Sequence, residues 1–209
     1  VSPGAPANPF STRHHRAGAL PYRFEGPQSA ATLLDRWFAL GAEAQIVGAE
    51  GTGKSTLLHA LAGEAERRGL ALLRFTIDTE GHLPSLDAAL ARRAPPLLFV
   101  DEADRLSFLS FHRLRRRARA HGIGLLASTH RSLGLATLHG TSVHPALATA
   151  IAAQILDESP SLPRLVRPEE AGEILDAHGG NLRRVWLALY DRYEARFALA
   201  RAGAPAASR

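Results

Sequence analysis

The stretch Gly48-Ala49-Glu50-Gly51-Thr52-Gly53-Lys54-Ser55 limits the fold more than any other part of this 209-residue chain. Three glycines within six residues let the backbone turn its N–H groups inward, and a concavity of that kind binds anionic oxygens. Ahead of the loop, Gln45, Ile46 and Val47 read as a short strand. Behind it, Leu57, Leu61 and Ala65 fall on one stripe of a helix over 54–68, stopped by Gly69. Strand, glycine-rich loop and helix N-terminus together form a phosphate site, because the loop amides and the positive end of the helix dipole point at the same place. Lys54 is the single lysine beside 24 arginines. Its retention at this position points to a demand for a compact ammonium there.

The rest of the chain supplies a matching scaffold. A helix is expected over 29–40, carried by Leu33, Leu34, Trp37 and Phe38 and ended by Gly41. The apolar run 70–77 reads as a strand buried on both faces of a parallel sheet, 83–93 as a crossover helix ended by Pro95-Pro96, and 97–100 as the next buried strand. A helix over 104–121 and a strand over 123–127 follow. This alternation predicts an α/β fold, a three-layer domain with a parallel sheet and right-handed crossovers. After His130 the pattern weakens. Residues 133–143 read as a loop or weak strand, 145–156 as a helix, 162–166 as a candidate fifth strand, and 168–178 and 181–200 as two helices. The expected organisation is an extended N-terminal arm (1–28), a core (29–160), a small C-terminal helical lid (161–200) and a disordered tail (201–209).

Composition closes off other classes. Hydrophobic residues at 45% and charged residues at 22% fit a globular chain. The absence of cysteine removes disulfides, thiolate metal sites and a cysteine nucleophile. Apolar runs such as 97–100 are far too short for a membrane span, so a cytoplasmic location is the default expectation. The net charge of +5 reflects arginine usage spread along the chain. The one dense cluster is 111–119, with five arginines on a predicted helix. It reads as a solvated or subunit-facing helix, or as a contact for a nucleic-acid backbone.

Chemistry concentrates at two further places. Leu97-Leu98-Phe99-Val100-Asp101-Glu102 ends a buried strand in two acids, and open α/β sheets bind ligands at the carboxyl ends of their strands. With a triphosphate in the loop 48–56 (through Thr56, the second residue of the helix), Lys54 is placed to reach the β and γ phosphates. Ser55 and Asp101 are placed to hold Mg²⁺, and Glu102 to orient or deprotonate the attacking water.

These residues make the chain resemble the P-loop ATPases that carry a catalytic glutamate beside the Walker B aspartate, and among them the AAA type. The Walker A motif is 48–55 and the Walker B motif 97–102. Asp101-Glu102-Ala103-Asp104 also spells the signature of DEAD-box helicases, whose second RecA-like domain has no room in this chain; ABC-type ATPases are disfavoured because LSGGQ is absent before Leu97. The AAA resemblance implies a polar first sensor at Ser128-Thr129-His130, with Thr129 the first choice and His130 the second. It implies a second sensor in Gly180-Asn181-Leu182-Arg183, with Arg183 on the γ-phosphate, and it leaves Arg131 as a candidate arginine finger. Asn8-Pro9-Phe10 and Pro21-Tyr22 resemble the arm of AAA ATPases that assist secretion and transposition, which packs near adenine.

The resemblance thus implies a domain that binds ATP and Mg²⁺ and hydrolyses ATP to ADP. It would couple the cycle to a DNA or protein partner, with nucleotide-dependent homo-oligomers as a further expectation. Two other readings stay open: a nucleotide-dependent binding switch with negligible turnover, and a small-molecule kinase.

Overall fold

The computed structural model describes residues 8–11, 18–81 and 97–202. The helix expected at 83–93, the Pro95-Pro96 stop and the basic cluster 13–16 lie outside the described residues, as does the tail from 203. Residues 201 and 202, expected in the tail, are helical.

The chain divides into two units, 20–142 and 1–19 with 143–209. The first is a parallel sheet with helices on both faces. Its strands are β1 (Glu43–Gly48), β2 (Leu72–Thr76), β3 (Leu97–Asp101), β4 (Leu125–Thr129) and β5 (Ala136–Thr141). Their order is β2-β3-β4-β1-β5, every pair parallel. Helices α1 (Ala30–Ala39), α2 (Lys54–Arg67) and α3 (Phe108–Ala120) accompany them.

The two-residue period of the strands creates the layers. On one face Ala44, Ile46, Phe99, Leu126 and Leu138 pack with Leu33, Leu34 and Trp37 of α1 and Leu57, Leu58 and Leu61 of α2. On the other, Leu98, Val100, Leu125 and Ala127 pack with Phe111, Leu114 and Ala118 of α3. The three-layer α/β architecture expected from the sequence is the observed one.

Several boundaries differ from expectation. β2 is half-exposed and not buried on both faces, because it is an edge strand. The fifth strand is 136–141, whereas 162–166 forms no strand. β5 is also an edge strand and buries only Leu138 and Thr141, so its sequence carries little hydrophobic signal. The helix expected at 104–121 is broken. A 3-10 turn, Ala103–Arg105, precedes extended Leu106, and Ser107 then caps α3 by accepting from the Ser110 N–H. β4 begins two residues later than expected, since Ile123 is still bonded to the Ala118 carbonyl at the end of α3.

The second unit contains α4 (Pro145–Asp157), α5 (Glu169–Leu175) and α6 (Leu182–Ala202). The helix α4 groups with α5 and α6 here, although the sequence reading assigned residues up to 160 to the core. Phe10 is fully buried and stacks on Trp186, while Asn8 donates to the Tyr190 carbonyl and to Glu194. Glu170 is buried between Arg192 and Arg196. No helix among the described residues is long and apolar enough to cross a membrane.

Candidate functional site

The loop 48–53 leaves β1 and enters α2 at Lys54. Gly51 and Gly53 take φ of 74° and 95°, the left-handed region that glycine occupies without strain. Gly48 is required for a different reason. A Cβ there would lie 2.1 Å from Thr141 Oγ1 and 2.6 Å from the Thr141 carbonyl oxygen. Thr141 in turn shares a 2.7 Å hydrogen bond with Thr52, whose hydroxyl also lies 2.8 Å from the Ala49 carbonyl. The loop is therefore braced by the end of β5, a strand whose sequence carries little signal.

Lys54 is buried, and its ammonium donates to the carbonyls of Gly48 (2.8 Å) and Ala49 (2.7 Å). Burial pushes the lysine below its ordinary range, against the pull of Asp104, Asp101, Glu102 and Glu50, in decreasing order. The acidic turn after β3 is thus close enough to act on the loop lysine. Tyr22 covers the other side, its ring 3.5 Å from where a Gly53 Cβ would stand and its hydroxyl 3.1 Å from His139 Nε2. Burial, with the charge of Glu25, pushes the Tyr22 phenol up to about 12.

At the end of β3, Ser128 donates to Asp101 Oδ1 and accepts from the Glu102 N–H at 3.0 Å. Glu102 adopts φ 56°, which costs a non-glycine residue about 1 kcal/mol, and its carboxylate pairs with Arg105 at 2.5 Å. Among the described residues, no three His, Asp or Glu side chains gather as a metal site. The hard oxygens of Ser55 and Asp101 fit Mg²⁺, which is ordinarily bound by one or two protein oxygens together with phosphates and water.

The two candidates for the first sensor differ in what they touch. Thr129 is fully buried and its hydroxyl donates to the Arg131 carbonyl at 2.5 Å, closing the turn at the strand end. The Arg131 N–H also donates to that hydroxyl, at 3.2 Å. His130 keeps a third of its side chain exposed, with Nδ1 2.9 Å from Asp104 Oδ2. Burial alone would raise the Asp104 carboxyl, but the hydrogen bond and charge of His130 hold it below the usual range. Arg131 is exposed. The loop after it is held by the fully buried Gln45, which donates to Ser132, Thr137 and the Leu135 carbonyl and accepts from Leu133 N–H. Arg183 lies in the helical unit, exposed in the first turn of α6; Asn181 beside it accepts from the Arg184 N–H.

The sheet thus brings the loop, Asp101 and Glu102 together at the carboxyl ends of β1 and β3. Sequence reasoning missed Ser128 as the partner of Asp101, the Asp104–His130 pair, and Thr141. The first two were within reach, since β3 and β4 are neighbours and their register advances Asp101 to the level of Ser128.

Residues 44–121 match the sequence profile of the ATPase family associated with various cellular activities (AAA). This is an AAA-type P-loop fold. AMPPCP-bound DnaA from Aquifex aeolicus superposes with a TM-score of 0.55 at 17% identity, over 90% of this chain and 70% of that one. A RuvB variant from Thermotoga maritima gives 0.51 at 18% identity, over 82% and 61%. A replication initiator DnaA bound to AMPPCP and single-stranded DNA gives 0.50 at 18% identity, over 78% and 60%. The chain therefore spans about 60% to 70% of the length of these neighbours. Comparison with curated protein sequences gives no match.

Proposed function

We propose that this AAA-type domain binds MgATP, hydrolyses it slowly, and uses the nucleotide state to change its contacts with a partner. The observation that carries the proposal is the glycine loop with its lysine on the Gly48 and Ala49 carbonyls, at the same carboxyl edge of one parallel sheet as the Asp101-Glu102 end of β3. In this reading residues 48–56 cradle the phosphates and Lys54 exchanges its two carbonyls for phosphate oxygens. Ser55 and Asp101 hold Mg²⁺, which neutralises charge on the phosphates when bound. Glu102 then takes the proton of the attacking water once Arg105 releases its carboxylate. The neighbours bound to AMPPCP support nucleotide binding. The Asp101-Glu102 pair favours a hydrolase over a kinase, because a base beside the phosphates would promote wasteful hydrolysis.

Two variants test the reading. Lys54→Ala should lose ATP binding while staying folded. Glu102→Gln should bind ATP as wild type does while phosphate release falls by roughly 10²–10⁴-fold. Unchanged hydrolysis in Glu102→Gln would leave the nucleotide-dependent switch as the better account.

For the partner, α3 favours nucleic acid. At 100° per residue, Phe108, Leu109, His112, Arg115, Arg116 and Arg119 share a sector of about 120° on α3. Phe108 and Leu109 are 82% and 64% exposed, and His112 stacks on Phe108. His112 and the three arginines line a concavity of about 210 Å³. Aromatic faces beside guanidinium groups suit the bases and phosphates of a single strand. Arg115 and Arg119 already share Glu43, so the net charge of the stripe is small and a shallow salt slope of roughly −1 to −2 is expected. Binding of an oligonucleotide that Phe108→Ala and Arg116→Glu both abolish would support this. No affinity at low salt would favour a protein partner or a second copy, which sizing with and without ATP would detect.

A further inference from the structure

Helix α3 returns the chain from the carboxyl end of β3 to the amino end of β4, so its exposed stripe runs the height of the sheet, about 16 Å from Phe108 to Arg119. The two ends of the stripe differ. At the first stand Phe108 and Leu109, with His112 stacked on the phenyl ring. At the other, Arg115 and Arg119 converge on one carboxylate, Glu43 at the start of β1. Each guanidinium forks onto it. Nε donates to Oε1, at 2.8 Å from Arg115 and 2.9 Å from Arg119, and both Nη2 groups donate to Oε2. The second fork brings in a positive charge that a single carboxylate leaves uncancelled. Burial alone would raise the Glu43 carboxyl, but the two arginines hold it below its ordinary range, so it stays charged at neutral pH. The cluster is open to solvent: the Arg119 side chain is 61% exposed and Arg116 beside it is exposed. His112 and the three arginines line the concavity along the stripe.

A carboxylate held by two forks and a phosphodiester offer a guanidinium the same thing, a pair of oxygens sharing one negative charge. We infer that Glu43 occupies a phosphate site of α3 in the free protein, and that the backbone of a single strand displaces it from Arg115 and Arg119. The inference rests on the nucleic-acid reading of α3 and deepens it. A strand reaching these arginines exchanges one anion for another, so the exchange adds little affinity. What remains is Arg116 for the backbone and the ring of Phe108 for a base. Glu43 thus keeps the contribution of the phosphates small, and binding by the wild type depends on the stacked bases.

The test is fluorescence anisotropy of the full chain with a labelled oligonucleotide over a range of salt, with circular dichroism to check the fold of each variant. Glu43→Gln keeps the shape of the side chain and removes its charge. It should tighten binding by about tenfold at low salt and steepen the salt slope by roughly 0.7, the release that accompanies one more phosphate contact on a single strand. Phe108→Ala should cost Glu43→Gln less than it costs the wild type. Asp35→Asn changes the net charge equally at an exposed carboxylate of α1, the helix packed on the opposite face of the sheet from α3, and should leave affinity and slope as they are. Should Glu43→Gln fail to fold, Glu43→Ala should show the same gain, and Glu43→Asp, still charged, should show none. Wild-type affinity and slope in Glu43→Gln, or an equal gain from Asp35→Asn, would overturn the Glu43 assignment while the nucleic-acid reading stands. If neither the wild type nor Glu43→Gln binds the strand at low salt, the nucleic-acid reading fails and takes the inference with it.

Discussion

Replacing Gly48 by alanine tests whether the loop is braced as described. The added methyl would sit 2.1 Å from Thr141 Oγ1, 2.6 Å from the Thr141 carbonyl oxygen and 2.8 Å from Thr52 Oγ1. Ordinary contacts of that kind are about 3.4 Å or longer, so the loop or the end of β5 must retreat by about 1 Å. Overpacking of this size costs about 1–3 kcal/mol, and the upper part of that range applies because one obstacle is backbone. The displacement also carries the Gly48 carbonyl on which Lys54 rests, 2.8 Å from its ammonium. A misplacement of about 1 Å at such a site costs on the order of a hundredfold in turnover. Urea unfolding and steady-state phosphate release would read the two effects separately. Thr141→Ala removes the closest obstacle and leaves the carbonyl, so Gly48→Ala with Thr141→Ala should recover part of the stability and not all of it. Wild-type stability and ATP affinity in Gly48→Ala would refute the argument, and so would a double variant no better than the single one.

Other perturbations reach different parts of the chain. Glu170 is held at about 2, chiefly by the Arg196 hydrogen bond and against its own burial. A depressed carboxyl stabilises the fold above its ordinary range, near 4.5, and that stabilisation drains away as the pH falls toward about 2. Allowing for screening at the partly exposed arginines, about 2 kcal/mol is at stake. Thermal unfolding of wild type against Glu170→Gln should therefore converge between pH 5 and pH 2, and a gap independent of pH would contradict the pairing. Gln45→Leu keeps the volume but strands the Leu133 N–H and the Leu135 carbonyl, so denaturant unfolding should show a loss of about 2–4 kcal/mol.

Much of the architecture was legible before any coordinates, for reasons local to the chain. Glycines at 51 and 53 announce positive φ, a strand and a helix flank them, and a buried β3 ends abruptly in Asp101-Glu102. Each of these signals lies within about ten residues of chain. What the tertiary structure decided depends on neighbours distant in sequence. β5 read only as a loop or weak strand over 133–143, because an edge strand with one buried face needs few apolar residues, yet its Thr141 dictates glycine at position 48. The exposure of β2 followed from its place at the other edge, which composition cannot encode. As letters, Thr129 is the first choice for a sensor and His130 the second. The fold adds that the Thr129 hydroxyl is bonded to the Arg131 carbonyl within a turn, while the His130 imidazole is paired with Asp104, 26 residues away. The basic helix is the same lesson in charge: two of its five arginines are committed to Glu43, more than 70 residues upstream, and pairing between strand and helix, not the count of arginines, sets what remains for a partner.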